Sequence, residues 1–137
     1  MLKGIGVDLV SFARIEELYS QFGEKFENRI LVESEIMLLN EIKASSGSSA
    51  IDKFKVVGFL ARRFAAKEAI SKALGTGIGE RISFKDIEVY SDKLGKPHVK
   101  ILNKKLTLLQ LSETSNIQLS ISDEKSGEAI AFAVLEV

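Results

Sequence analysis

Two carboxylates stand out among the residues that could do chemistry. Glu68 lies in Arg62-Arg63-Phe64-Ala65-Ala66-Lys67-Glu68-Ala69-Ile70-Ser71-Lys72, a stretch otherwise small, apolar or basic, and Asp8 closes the glycine-lined run Gly4-Ile5-Gly6-Val7-Asp8. Carboxylate oxygens are hard donors, and Mg²⁺ takes one or two of them together with water and substrate phosphate oxygens. Between Lys53 and Lys72 the cations are Lys53, Lys55, Arg62, Arg63, Lys67 and Lys72, with Glu68 the only acid. That imbalance fits a phosphate-rich ligand, although a solvated cationic face accounts for most of these residues equally well. Paired carboxylates among cations point to a magnesium site handling a phosphorylated substrate.

Each carboxylate has a plainer explanation. At about 100° per residue, Val57, Leu60, Ala61, Phe64 and Glu68 share one helical stripe, so Glu68 sits on an apolar face. A buried carboxylate must be paired, metal-bound or neutralised, and Lys72, four residues on, is a ready ion-pair partner. Asp8, at the end of an apolar strand, also suits a turn or cap. Sequence alone does not bring Asp8 and Glu68 together.

The elements that must position them follow from periodicity. Ile5, Val7 and Leu9 alternate with Gly4, Gly6 and Asp8, a strand whose glycine face admits something close to the backbone. Ser11 is a natural N-cap for a helix carrying Ile15, Leu18, Tyr19 and Phe22 and stopping at Gly23. A second helix is predicted from about Ser34 to Ile42, then a Ser/Gly loop over 45–49. The long helix is predicted from about Lys53 to Leu74, ending at Gly75. Ile82 and Phe84 are out of phase with Ile87 and Val89, which predicts a bulge or bend near Lys85-Asp86. A turn at 92–97 leads into a strand through Val99 and Ile101, followed by a helix from about Asn103 to Leu111. Ile117, Leu119 and Ile121 alternate with polar residues as a half-buried strand. Ala129 to Leu135, apolar on both faces, reads as a strand buried on both sides, with an alanine face that would admit a helix or another subunit. The order of elements gives an α+β class.

The chain has 137 residues, enough for one domain over 1–137 with a real core. Formal net charge is zero, against a general nucleic-acid binder. Absence of cysteine excludes disulfides, a thiolate nucleophile and Cys-ligated zinc. No apolar run approaches the roughly 20 residues that span a bilayer, so a soluble cytoplasmic protein is expected. Gly75-Thr76-Gly77-Ile78-Gly79 is not a phosphate loop, since it follows a helix and has no Gly-Lys-Ser/Thr. His98 has no companion ligand for a metal.

Several motifs together resemble the holo-acyl-carrier-protein synthases, the small 4'-phosphopantetheinyl transferases. They are Gly4 to Val10 with Ala13-Arg14-Ile15, Phe59 to Ala69 with Ser71-Lys72-Ala73, Gly75-Thr76-Gly77, Asp92 with Gly95-Lys96-Pro97, and Leu119-Ser120-Ile121-Ser122. The resemblance covers nearly the whole chain. It implies a 4'-phosphopantetheinyl transferase-like α+β fold, an antiparallel-rich sheet packed on one long helix and shorter helices. It implies transfer of the 4'-phosphopantetheinyl group of coenzyme A to a serine of apo-acyl carrier protein in fatty acid biosynthesis, leaving adenosine 3',5'-bisphosphate. Asp8 and Glu68 would bind Mg²⁺, and Lys72 would stabilise charge on the leaving group. Arg63, Ser71, Lys72, Gly75, Thr76, Gly77, Lys96 and Pro97 would line the coenzyme site. A homotrimer with sites at subunit boundaries is also implied. The general base stays open among Glu68, neutral Lys72 and a metal-bound water. The same chemistry on secondary-metabolism carriers, or non-catalytic coenzyme A binding, are the alternatives. Two departures are notable: Asp123 stands where many relatives have His, and the first helix carries Glu16 and Glu17 where relatives are often basic. The stretch from Lys43 to Asp52 looks long for the family and is predicted to be mobile.

Overall fold

A computed structural model describes the backbone of residues 1–45 and 50–137, and the side chains of 1–45 and 53–137. Strand β1 (Leu2–Ser11) leads into α1 (Phe12–Phe22), α2 (Glu24–Ile30), α3 (Glu33–Ala44) and the long α4 (Ala50–Ala73). A single 3₁₀ turn (Phe84–Asp86) precedes β2 (Ile87–Ser91), which pairs with β3 (Pro97–Ile101). After α5 (Lys105–Leu108), β4 (Asn116–Glu124) and β5 (Glu128–Glu136) complete an antiparallel sheet of order β1-β5-β4. The α+β class is as the element order implies. Residues 46–49, which fall in the Lys43–Asp52 stretch expected to be mobile and make up most of the loop expected over 45–49, lie outside the described residues.

One face of the three-stranded sheet is built of residues small enough to let α4 lie directly on it. Ala129, Ala131 and Ala133 of β5 are fully buried. On β1, a Cβ at Gly4 would fall 2.0 Å from the Ala73 carbonyl oxygen, and one at Gly6 1.9 Å from that of Ala69. Backbone meets backbone here, so no side chain larger than hydrogen fits. The glycine face of β1 therefore seats a helix of the same chain. Phe59, Leu60, Phe64 and Ile70 of α4 join Ile15, Phe26, Ile30, Leu39, Ile82 and Val89 in the core around it.

The elements differ from expectation over 103–111 and on the far face of β5, a helix after Gly23 is added, and the expected bend near Lys85-Asp86 takes a definite form. The segment after Gly23 is helical (α2), because Gly23, at φ 55°, stops α1 and restarts the chain, its N–H donating to Tyr19 O at 2.7 Å. The bend near Lys85-Asp86 is a 3₁₀ turn, closed by Asp86, which accepts from Ser83 N at 2.8 Å. The helix expected over 103–111 is one turn, since Asn103, Lys104 and Gln110 take positive φ. Strand β5 is covered on its alanine face only. Ile130 and Phe132 on the other face are 42% and 46% exposed, and lie opposite Leu9 and Val7 of β1, 60% and 51% exposed.

Candidate active site

Gly4, Gly6 and Asp8 share one face of β1, the face whose glycines seat on Ala73 and Ala69 of α4, so Asp8 lies against α4. There Lys72 Nζ donates to Asp8 Oδ1 at 3.1 Å and to Val7 O at 2.9 Å. The partner of Lys72 is thus Asp8 rather than Glu68, as a helical i,i+4 pair would have had it. Glu68 is part-buried beside them, and its carboxylate has no hydrogen-bond or ion-pair partner among the described residues. Burial, and then the charge of Asp8, push its carboxyl above the usual glutamate range, while Lys72 and Arg14 pull the other way. Two carboxylates close enough to repel, one unpartnered, form a donor pair that a hard divalent cation would relieve.

Beside Glu68 opens a groove of about 540 Å³ that the sequence did not reveal. Its floor includes Phe26, Phe64 and Ile78, and its rim carries Arg14, Lys25 and Arg29. The Arg14 guanidinium lies 5.5 Å from the centre of the Phe64 ring. The three cations come from α1 and α2, and Glu68 is the only acid among the described residues that line the groove. They are not adjacent in sequence, and only folding of α2 against α1 collects them.

Lys67 is the largest departure from a solvated cationic face. It is fully buried, and its Nζ donates to Glu35 Oε1 at 2.6 Å, Ile30 O at 2.7 Å and Phe84 O at 3.1 Å. Glu35 also accepts from Val32 N at 2.9 Å and Val89 N at 3.2 Å, and lies 3.3 Å from Arg63 Nε. Burial holds the Lys67 ammonium down to a pKa of about 8, against the pull of Glu35. Ile30 and Phe84 also line the groove, so Lys67 ties its walls together from beneath. A sequence signal existed: Arg63 and Lys67 are spaced i,i+4 in a run otherwise rich in apolar and small residues, but the buried acid they need is on another helix.

The remaining candidate residues fall into two other places. Ser71 is buried, with its hydroxyl donating to Glu68 O at 2.7 Å, and so faces its own helix. Gly75 N donates to Lys72 O, and Thr76 N and Gly77 N donate to Ser71 O, so these amides close the helix end. Arg63 and Pro97 line a separate cavity of about 470 Å³ with Arg62, Gly95, Ser122 and Asp123. Five residues at about 100° each put Arg63 roughly 140° round α4 from Glu68. Lys96 is exposed on the adjoining turn, whose backbone is held by Asp92 Oδ1 accepting from Leu94 N and Lys96 N. His98 pairs with Asp92 at 2.9 Å and stacks on Tyr90.

A family model described as the 4'-phosphopantetheinyl transferase superfamily matches residues 4–133. The chain belongs to this superfamily. Within it, the chain is 41% identical over 133 residues to the holo-[acyl-carrier-protein] synthase of Aliivibrio fischeri, covering 97% of this chain and 96% of that protein. Its fold is similar to the crystal structure of holo-[acyl-carrier-protein] synthase from Neisseria meningitidis, with TM-score 0.82, 38% identity and full coverage of both chains. The Bacillus anthracis enzyme, solved in complex with CoA (3',5'-ADP), has TM-score 0.73 and 42% identity, covering 99% of this chain and 97% of that one. No helix among the described residues is long and apolar enough to cross a membrane.

Proposed function

We propose that this chain, as one domain over 1–137, is a magnesium-dependent holo-[acyl-carrier-protein] synthase. It moves the 4'-phosphopantetheinyl group of coenzyme A to a serine of apo-acyl carrier protein. The observation that carries the reading is the Asp8–Glu68–Lys72 cluster, in which the Glu68 carboxylate has no hydrogen-bond or ion-pair partner among the described residues. The serine oxygen attacks the phosphorus that bears pantetheine, that phosphorus parts from the bridging pyrophosphate oxygen, and adenosine 3',5'-bisphosphate leaves. Asp8 and Glu68 would hold Mg²⁺, which polarises phosphoryl oxygens and offsets negative charge. Lys72, half exposed and held by Val7 O, presents a point cation for the leaving phosphate. The serine proton passes to one of three acceptors, Glu68, neutral Lys72 or a metal-bound water. The groove with Arg14, Lys25 and Arg29 over an apolar floor suits an acidic carrier with an apolar contact face.

The site is completed between subunits of a homotrimer. Two observations support this. The Arg63–Pro97 cavity lies far round α4 from Glu68, so one chain presents the two halves in different directions. The uncovered face of the sheet, with Ile5, Val7 and Leu9 beside Ile130 and Phe132, is a contiguous apolar patch of the kind that marks an interface.

Incubation with coenzyme A, MgCl₂ and apo-acyl carrier protein, followed by intact-mass measurement, tests the reading. Gain of one phosphopantetheinyl group, lost in Glu68→Ala and with a chelator, is expected. No gain despite measurable coenzyme A binding would leave a binding protein without turnover.

A further inference from the structure

Arg62 and Asp123 form an ion pair, Nη1 to Oδ2 at 2.7 Å, apart from the Asp8–Glu68–Lys72 cluster. The pair stands in the wall between two cavities. On one side lies the polar cavity with Arg63, Gly95, Pro97 and Ser122. On the other is a cleft of about 240 Å³ lined by Phe12, Phe54 and Gly58. Arg62 comes from α4, and Asp123 from near the end of β4, where it faces Ala129 across the sheet. Both side chains remain partly exposed, at 36% and 41%, so a ligand can reach either.

The second guanidinium of the polar cavity is built differently. The Arg63 side chain is nine-tenths buried and lies over the Phe59 ring, 4.6 Å from its centre. Its one carboxylate neighbour among the described residues is Glu35, and its Nε lies outside hydrogen-bonding geometry to it. Glu35 meanwhile serves Lys67 and two backbone amides. A buried, under-satisfied guanidinium calls for an anion in the cavity. Asp123 is the only carboxylate among the described residues that line that cavity, and it already holds Arg62.

We propose that Asp123 sets the affinity and anion selectivity of the coenzyme pocket by competing with a phosphomonoester for Arg62. This rests on the coenzyme reading above. Coenzyme A carries a ribose 3'-phosphomonoester besides its pyrophosphate, with a charge of about −1.5 to −2 if it titrates as other phosphomonoesters do. A dianion facing two arginines must displace Asp123 or share Arg62 with it. Removal of the Asp123 charge takes the pocket's side-chain charge from +1 to +2, so it favours the monoester and leaves a ligand without one nearly unaffected.

The test compares wild type, Asp123→Asn, Arg62→Gln and the double variant, with coenzyme A and with 3'-dephospho-coenzyme A. Asp123→Asn is expected to lower KM for coenzyme A about three- to fivefold at low ionic strength, the upper end of the scale of one exposed charge pair. The change falls on KM rather than kcat, leaves KM for the dephospho compound within about twofold, and vanishes in the Arg62→Gln background. Calorimetric binding of adenosine 3',5'-bisphosphate against adenosine 5'-monophosphate gives the same comparison without turnover. A higher KM for coenzyme A in Asp123→Asn, an equal shift for both compounds, or persistence without Arg62 would overturn the inference. Tighter bisphosphate binding by Asp123→Asn in a protein that transfers nothing would instead overturn the transferase reading and keep the role of Asp123.

Discussion

Lys67→Met removes an ammonium and keeps an unbranched side chain, so it isolates the buried charge beneath the groove. In the parent, Lys67 Nζ serves Glu35, Ile30 O and Phe84 O, and neither Lys67 nor Glu35 reaches solvent. The variant leaves the Glu35 side chain in the core without its ammonium partner, beside the Val32 and Val89 amide donors and Arg63 Nε at 3.3 Å. Breaking a buried pair from one side costs about 3–5 kcal/mol. At about 2.1 cal/mol/K per residue, 137 residues give an unfolding entropy near 290 cal/mol/K, so Tm should fall by roughly 10–17 °C. Thermal melting followed by circular dichroism, with urea unfolding for ΔG, measures it. Lys67→Met/Glu35→Gln removes the orphaned charge while keeping an amide oxygen for the Val32 N–H. It should recover about 1 kcal/mol or more of the loss. A single variant within about 1 kcal/mol of the parent, or a double variant no better than the single, would refute the reasoning that the buried Lys67–Glu35 hub holds these elements together.

Gly6→Ala forces a Cβ to within 1.9 Å of the Ala69 oxygen, so β1 and α4 must separate. We expect about 1–3 kcal/mol of destabilisation and at least about a tenfold fall in kcat/KM from displacement of Asp8; full activity in steady-state rates would contradict this. Asp86 is below the usual carboxylate range: burial pushes it up but is outweighed by hydrogen bonds from Asn103 and Ser83 and by Lys105. A depressed carboxyl stabilises the fold above its unfolded value of 3.8 and ceases to as pH falls through its folded value. Asp86→Asn should therefore be about 1–2 kcal/mol less stable at pH 7, with the gap closing below about pH 4 in urea titrations. Phe132→Asp places a charge at the centre of the open sheet face, opposite Val7. Light scattering should then report the 15.1 kDa single chain in place of a trimer, with the far-UV spectrum unchanged.

The class of fold and the central acids were legible because both depend on local pattern. Alternation of Gly4, Gly6 and Asp8, the Ser11 cap, the Gly23 stop and the unbroken helix to Gly75 are short-range properties, and they delimit β1, α1 and α4 closely. Asp8 and Glu68 were legible by type, as lone acids in apolar or basic surroundings. Pairing was not. That Lys72 binds Asp8, that Lys67 is a core residue, and that Arg62 holds Asp123 all depend on partners 32 to 65 residues away in sequence. A lysine in a helix reads the same whether it meets water or a buried carboxylate on another helix. Electrostatic and steric terms at a few ångströms decide between these, and those distances exist only once β1 lies against α4 and α3 packs beneath it. The amino-acid order thus determined which groups were available for the chemistry, and tertiary packing decided which of them meet.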